Sequence, residues 1–302
     1  MIKLPSGIDI KNLIDDLRLF SWEASETLLY YAQILKDSNH KSNILQNDNN
    51  EDPVTLADLK VNELIITKIK QNYKNVDWEI ISEENVKSVN NNPETDSEWI
   101  WVFDPLDGTK DFIQGTSNYA MHLALNYKQK PYLGIVLVPE KEELWISYGE
   151  KVWCEKKDGS RKKPNISKNK ILKDMVLVTS KNHRNETLRK LIQKIQFNHV
   201  KIMGSIGCKI TSITKGESDI YISLSLPGKS SPKDWDFAAP SAILKAAGGA
   251  ITNLNNEEII FGKSNFEQGG IIVATNNAAN HKKICLDIRA IIEKFNLYPF
   301  KI

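Results

Sequence analysis

Apolar side chains at Ile10, Leu13, Ile14, Leu17, Phe20, Ala24, Leu28, Tyr31, Ala32 and Leu35 recur at helical spacing, with acidic residues on the other face. That period predicts one long amphipathic helix over residues 10–36. The next stretch, 37–52, is rich in Asn, Asp, Ser and Lys and has little apolar content beyond Ile44 and Leu45. It reads as a mobile loop, placed where a lid over the following motif could be. Ala57, Val61, Leu64, Ile65 and Ile69 then restore the helical period and predict a second helix over 56–73, with Thr55 as its cap and Asp58 in its first turn.

The pattern then changes to short apolar runs bounded by turn residues. Strands are predicted over 78–81, 99–103, 120–126, 132–138 and 143–147. A polar, lysine-rich segment, 155–170, interrupts them. Beyond it, predicted strands at 175–179, 201–204, 219–224 and 270–274 alternate with predicted helices at 185–194, 206–215, 236–247 and 278–295. This alternation indicates a layered α/β (α+β) architecture in two halves, 1–155 and 170–302, that form one functional unit. A length of 302 residues, against about 150 for a typical domain, agrees with that division.

Composition narrows the function classes. Forty Lys and Arg against 38 Asp and Glu leave a formal charge of +2, too balanced for the chain as a whole to bind nucleic acid electrostatically. The basic run Lys156, Lys157, Arg161, Lys162 and Lys163 is the one local exception; it is either a solvated loop or the contact surface of a catalytically silent RNA-binding or regulatory protein. Cys154, Cys208 and Cys285 are widely separated and form no metal-binding pair, which predicts reduced thiols and a cytoplasmic protein. The first residues lack the apolar core of a signal peptide, and no apolar run is long enough for a transmembrane segment.

Three predicted strand or helix ends carry carboxylates: Ser82-Glu83-Glu84, Asp104-Pro105-Leu106-Asp107-Gly108-Thr109, and Trp235-Asp236. Any one of these acids alone is as readily a surface group or a helix cap. Taken jointly, Glu83, Asp104, Asp107 and Asp236 form a set of oxygen donors suited to Mg²⁺, with no His or Cys to suggest zinc. Within the central motif Pro105 restricts the backbone between two acids, so both carboxylates and the Leu106 carbonyl can converge on one or two ions. Gly108 permits a tight turn, and Thr109 starts a short helix whose free amides can take a phosphate oxygen.

These motifs, with Asp52-Pro53-Val54-Thr55-Leu56-Ala57-Asp58, Trp101-Val102-Phe103 before Asp104, and Ala246-Ala247-Gly248-Gly249, occur in the order found in the Mg²⁺-dependent, lithium-sensitive phosphatases. The chain resembles that superfamily, which includes inositol monophosphatase, fructose-1,6-bisphosphatase and 3'(2'),5'-bisphosphate nucleotidase, from about residue 10 to 280. Asp-Pro-Leu-Asp-Gly-Thr-Lys110-Asp111-Phe-Ile most resembles the bacterial CysQ-type nucleotidases, since inositol phosphatases have Thr-Asn in place of Lys110-Asp111.

The resemblance implies a five-layered αβαβα sugar-phosphatase fold and hydrolysis of adenosine 3',5'-bisphosphate, or its sulfated analogue, to AMP (or adenylyl sulfate) and phosphate. It also implies two or three Mg²⁺ ions on Glu83, Asp104, the Leu106 carbonyl, Asp107 and Asp236, with Asp104 bridging two of them. Thr109 would orient the attacking water and Asp58 accept its proton. Gly108, Thr109, His183, Ser205, Lys209, Lys233 and Asp236 would contact substrate. The expected partner is a small phosphate ester (a nucleotide bisphosphate) rather than nucleic acid, and the expected state is a monomer or homodimer. The alternative within the same chemistry is an inositol-1-phosphate or histidinol-phosphate type monophosphatase.

Overall fold

A computed structural model describes residues 3–36, 44–47, 54–88, 97–181, 184–263 and 265–299, without the side chains of Gln46 and Asn47. In chain order the elements are α1 (Ile10–Lys36), β1 (Leu45–Asn47), β2 (Val54–Thr55), α2 (Leu56–Asn72), β3 (Glu79–Ser82), α3 (Glu83–Ser88), β4 (Trp99–Asp107), α4 (Thr109–Ile113), β5 (Ala120–Tyr127), β6 (Lys130–Val138), β7 (Glu143–Tyr148), β8 (Lys151–Glu155) and β9 (Arg161–Lys162). The second half follows with β10 (Val176–Ser180), α5 (Glu186–Ile195), β11 (His199–Met203), α6 (Ile206–Thr214), β12 (Ile220–Leu224), α7 (Asp234–Ala246), β13 (Ala250–Asn253), β14 (Ile271–Thr275) and α8 (Ala278–Lys294).

A seven-stranded sheet runs β3-β4-β5-β6-β7-β8-β9 and is antiparallel except for the β3–β4 pair. A five-stranded mixed sheet runs β11-β10-β12-β14-β13. Three apolar clusters separate five layers. Leu13, Leu17 and Leu28 of α1 and Val61 and Ile65 of α2 pack on the outer face of the first sheet. Ile210 of α6 and Phe237 and Ile243 of α7 fill the space between the two sheets. Leu188 of α5 and Ile284 and Ile288 of α8 cover the far face of the second sheet. The layering is that of the αβαβα sugar-phosphatase fold.

Several local expectations are altered. The segment 37–52 is not loop throughout: Ile44 is buried and β1 pairs antiparallel with β2, while residues 37–43 and 48–53, where a lid would lie, are outside the described residues. Strands β8, β9 and β13 and helix α3 were not predicted. Strand β9 has only two exposed residues, so no side-chain pattern announces it; its pairing with β8 is a backbone matter. The lysine-rich segment is also less free than its composition suggests. Glu155 is 1% exposed and held by Arg18 of α1 and Arg161, and Ser167 and Asn169 bond to Asp219 in the second half. The helix carrying Asp236 starts two residues earlier than predicted, at Asp234.

Candidate active site

The site is built around an irregularity in β4. Register with β5 holds from Trp99 to Asp104, opposite His122, and shifts before Asp107, opposite Ala120. Pro105 supplies no ladder donor, so the strand bulges where the two acids occur. The Leu106 amide donates to Asp104 Oδ1 at 2.9 Å, tying the bulge to its own carboxylate. Gly108 then adopts φ 90°, and a Cβ there would lie 3.1 Å from the Ser205 amide nitrogen; glycine lets the start of α6 approach the bulge.

Asp104, Asp107 and Asp236 each place an oxygen within 4.8 Å of the others, as a shared cation requires. Burial pushes the Asp104 carboxyl well above its ordinary range, and Glu83, Asp107 and Asp236 push it further. Burial does the same to Asp236, reinforced by Asp107 and Glu83. Four acids thus share a water-poor space, and a cation among them would relieve both the desolvation and the mutual repulsion. The donors are all oxygens, which fits a hard divalent ion such as Mg²⁺. Glu83 begins α3 beside Asp104 and pairs with Lys87 at 2.8 Å. The Leu106 carbonyl accepts the Thr109 hydroxyl at 3.0 Å.

Asp107 joins the two halves. Its Oδ2 accepts Ser205 Oγ at 2.7 Å, the Ile206 amide, and the Gly207 amide at 3.2 Å, so the amino end of α6 holds it. Asp236, in the first turn of α7, accepts the Lys233 amide at 2.6 Å.

Beside the acids lies a second pair. Asp58 Oδ2 accepts the Thr55 amide at 2.8 Å and the Thr55 hydroxyl at 2.5 Å, in a capping box that starts α2. Its Oδ1 lies 3.3 Å from the Thr109 hydroxyl, whose single proton can turn to it or to the Leu106 carbonyl. Burial raises the Asp58 carboxyl to about 7, against the opposing bonds from Thr55. An acid titrating there can accept a proton near neutrality, with Thr109 as the hydroxyl between it and the acidic bulge.

The structure therefore gathers Asp58, Glu83, Asp104, Leu106, Asp107, Gly108, Thr109, Ser205 and Asp236 around one centre. Lys209 is 2% exposed; its Nζ donates to the Ser205 carbonyl at 3.2 Å and lies 5.3 Å from the centre of the Tyr221 ring. Burial lowers its pKa, opposed by the nearby Asp107, Asp111 and Asp236. Lys233 Nζ is turned to Glu267 at 3.1 Å. His183 is outside the described residues. Sequence reasoning missed His122, fully buried in β5, with Nδ1 3.3 Å from the Trp235 carbonyl and Nε2 3.3 Å from Asp107 Oδ2. A lone histidine in an apolar strand gives no local signal; only the register opposite Asp104 reveals it.

The inositol monophosphatase family pattern matches residues 12–293. Among curated proteins, the 3'(2'),5'-bisphosphate nucleotidase CysQ of Buchnera aphidicola is 35% identical over 151 residues, 50% of this chain and 54% of that protein. The chain thus aligns with about half the length of that relative. The CysQ of Salmonella typhimurium is 28% identical over 67% of this chain and 76% of its own. Inositol monophosphatase 2 of Solanum lycopersicum is 24% identical over 75% of this chain and 84% of its own. Among solved structures, the inositol monophosphatase II of Staphylococcus aureus superposes with a TM-score of 0.69 at 21% identity, over 96% of this chain and 100% of that one. The extragenic suppressor protein suhB of Bartonella henselae gives 0.72 at 19% identity, over 92% and 98%.

Proposed function

The chain belongs to the inositol monophosphatase family, and within it we propose a Mg²⁺-dependent phosphomonoesterase that hydrolyses adenosine 3',5'-bisphosphate to AMP and phosphate. The observation that carries the chemistry is the juxtaposition of the Asp104, Asp107 and Asp236 oxygens with the Asp58–Thr109 pair. The nucleotide preference is supported by the CysQ relatives and by Lys110-Asp111 in the central motif.

Glu83, Asp104, the Leu106 carbonyl, Asp107 and Asp236 would hold the metal. Bound divalent ions supply Lewis acidity toward phosphoryl oxygens and lower the pKa of a ligated water. The chain's own part is positional and acid–base. Asp58, buried and titrating near 7, takes a proton through the Thr109 hydroxyl. The bulge at Asp104–Asp107 and the first turn of α7 bring the acids of the two halves to one point, so the halves act as a unit. Among the described residues no helix is long and apolar enough to cross a membrane. All three cysteines are buried and unpaired, which supports a cytoplasmic setting.

The test is phosphate release from adenosine 3',5'-bisphosphate, its sulfated analogue, inositol 1-phosphate and fructose 1,6-bisphosphate, each with Mg²⁺ and with chelator. Metal-dependent turnover with the highest kcat/KM on the nucleotide is expected. Preference for inositol 1-phosphate would overturn the nucleotidase assignment and leave the metal chemistry; turnover undiminished by chelator would overturn the chemistry itself.

A further inference from the structure

His122 lies at the junction of the three aspartates. It is the cross-strand partner of Asp104, it stands 3.3 Å from Asp107, and its other nitrogen faces the carbonyl of the residue before Asp236. The ring is enclosed: a Cβ on Gly207 would come within 2.2 Å of Nε2, so glycine at the first turn of α6 makes room for it. Nε2 is buried, and it has no aligned hydrogen bond. One neutral imidazole has a single proton for two oxygens. The Trp235 carbonyl is a helix carbonyl that the amide four residues on can serve, whereas a carboxylate oxygen takes the stronger hydrogen bond, and Asp107 Oδ2, already held by the start of α6, lies 3.3 Å from Nε2.

We propose that His122 is a positioning residue of the metal centre: its Nε2–H orients Asp107 while the ring braces the backbone before Asp236, so that acids from the two halves keep the separation a shared cation needs. The proposal rests on the metal-centre assignment above and names a residue outside that donor set. Outer partners of metal ligands commonly change affinity without touching the ion.

The experiment measures Mn²⁺ and Mg²⁺ binding to the full chain by calorimetry, without substrate, for the wild type, His122→Gln and His122→Leu. Gln keeps an N–H that can reach Asp107, whereas Leu keeps bulk alone. Binding is expected to weaken about 10- to 100-fold in His122→Leu and only a few-fold in His122→Gln, with the two variants melting at similar temperatures in chelator. Wild-type affinity in both variants, or equal losses in both, would show that the ring only fills space and would overturn the proposal. A wild type that binds neither ion would overturn the metal-centre assignment and this role with it. Because the Leu variant can fail to fold, nitrogen-15 NMR of the wild-type imidazole is the second measurement. An Nε2–H tautomer is expected; an Nδ1–H tautomer with bare Nε2 would refute the role.

Discussion

The acids at two places in this protein are built on opposite terms. Asp219, 2% exposed at the start of β12, is surrounded by neutral donors: the Ser167 hydroxyl, the Asn169 side-chain amide at 2.9 Å, the Val176 amide at 2.7 Å and the Asn276 amide at 3.3 Å. Its charge is spread over partners that the fold supplies, and it latches the lysine-rich segment onto the second sheet. Asp104, Asp107 and Asp236 have donors too, among them three from the start of α6 on Asp107 Oδ2, but they also have one another for neighbours, and burial plus mutual repulsion raises Asp104 and Asp236. An acid whose neighbours are donors alone is structural; acids gathered on one another suit a cation.

The same chemical change should therefore have opposite effects at the two places. Asp107→Asn is expected to lower kcat about 10³-fold or more, roughly 4 kcal/mol of barrier, while the metal-free protein melts no earlier than the wild type. Near-native turnover at saturating Mg²⁺ would remove Asp107 from the metal centre. Asp219→Asn is expected to cost about 2 kcal/mol of stability, because donors reach both of its oxygens and an amide NH₂ must then face some of them, whereas the donors from the start of α6 to Asp107 all reach Oδ2, which the Asn oxygen can replace. Its kcat should be unchanged at temperatures where it is folded, as chemical denaturation and kinetics together would show. Loss of activity without loss of stability would erase the distinction.

The most gradual effect concerns pH. Asp58 is raised to about 7 from an ordinary value of 3.8, so between those values the folded state holds a proton the unfolded state has released. Stability of the metal-free protein should then fall as pH rises from about 4 to about 7, by at most about 1.4 kcal/mol per unit from this group. Asp104 and Asp236 are shifted in the same direction and add to the trend. Urea midpoints in chelator check the sign, and Asp58→Asn should flatten the slope. Rising stability across that range would contradict the assigned environments.

Much of this was legible in the chain. The buried stripe of α1 is the one its apolar spacing predicts, because a helix repeats its facing within four residues and the information is local. The clustered acids Asp104, Asp107 and Asp236 were legible as candidates because short motifs carry them at element ends. Strands β9 and β13 and the β1–β2 pair were not, since a short strand whose pairing is mainly a backbone matter leaves little side-chain pattern. The bond from the Ser205 hydroxyl to Asp107, a relation between residues 98 positions apart, was not legible either.

The sequence by itself determined the layered architecture, the phosphatase family motifs and the identity of the oxygen donors, because these depend on local period and on motifs a few residues long. Only the tertiary structure decided which acids face one another and which face donors. That choice depends on the bulge in β4, the approach of α6 past Gly108 and Gly207, and the ring of His122 between them. Asp107 and Asp219 are the same residue type in the chain, and it is their long-range neighbours, other acids beside the one and donors alone around the other, that separate a candidate metal ligand from a latch.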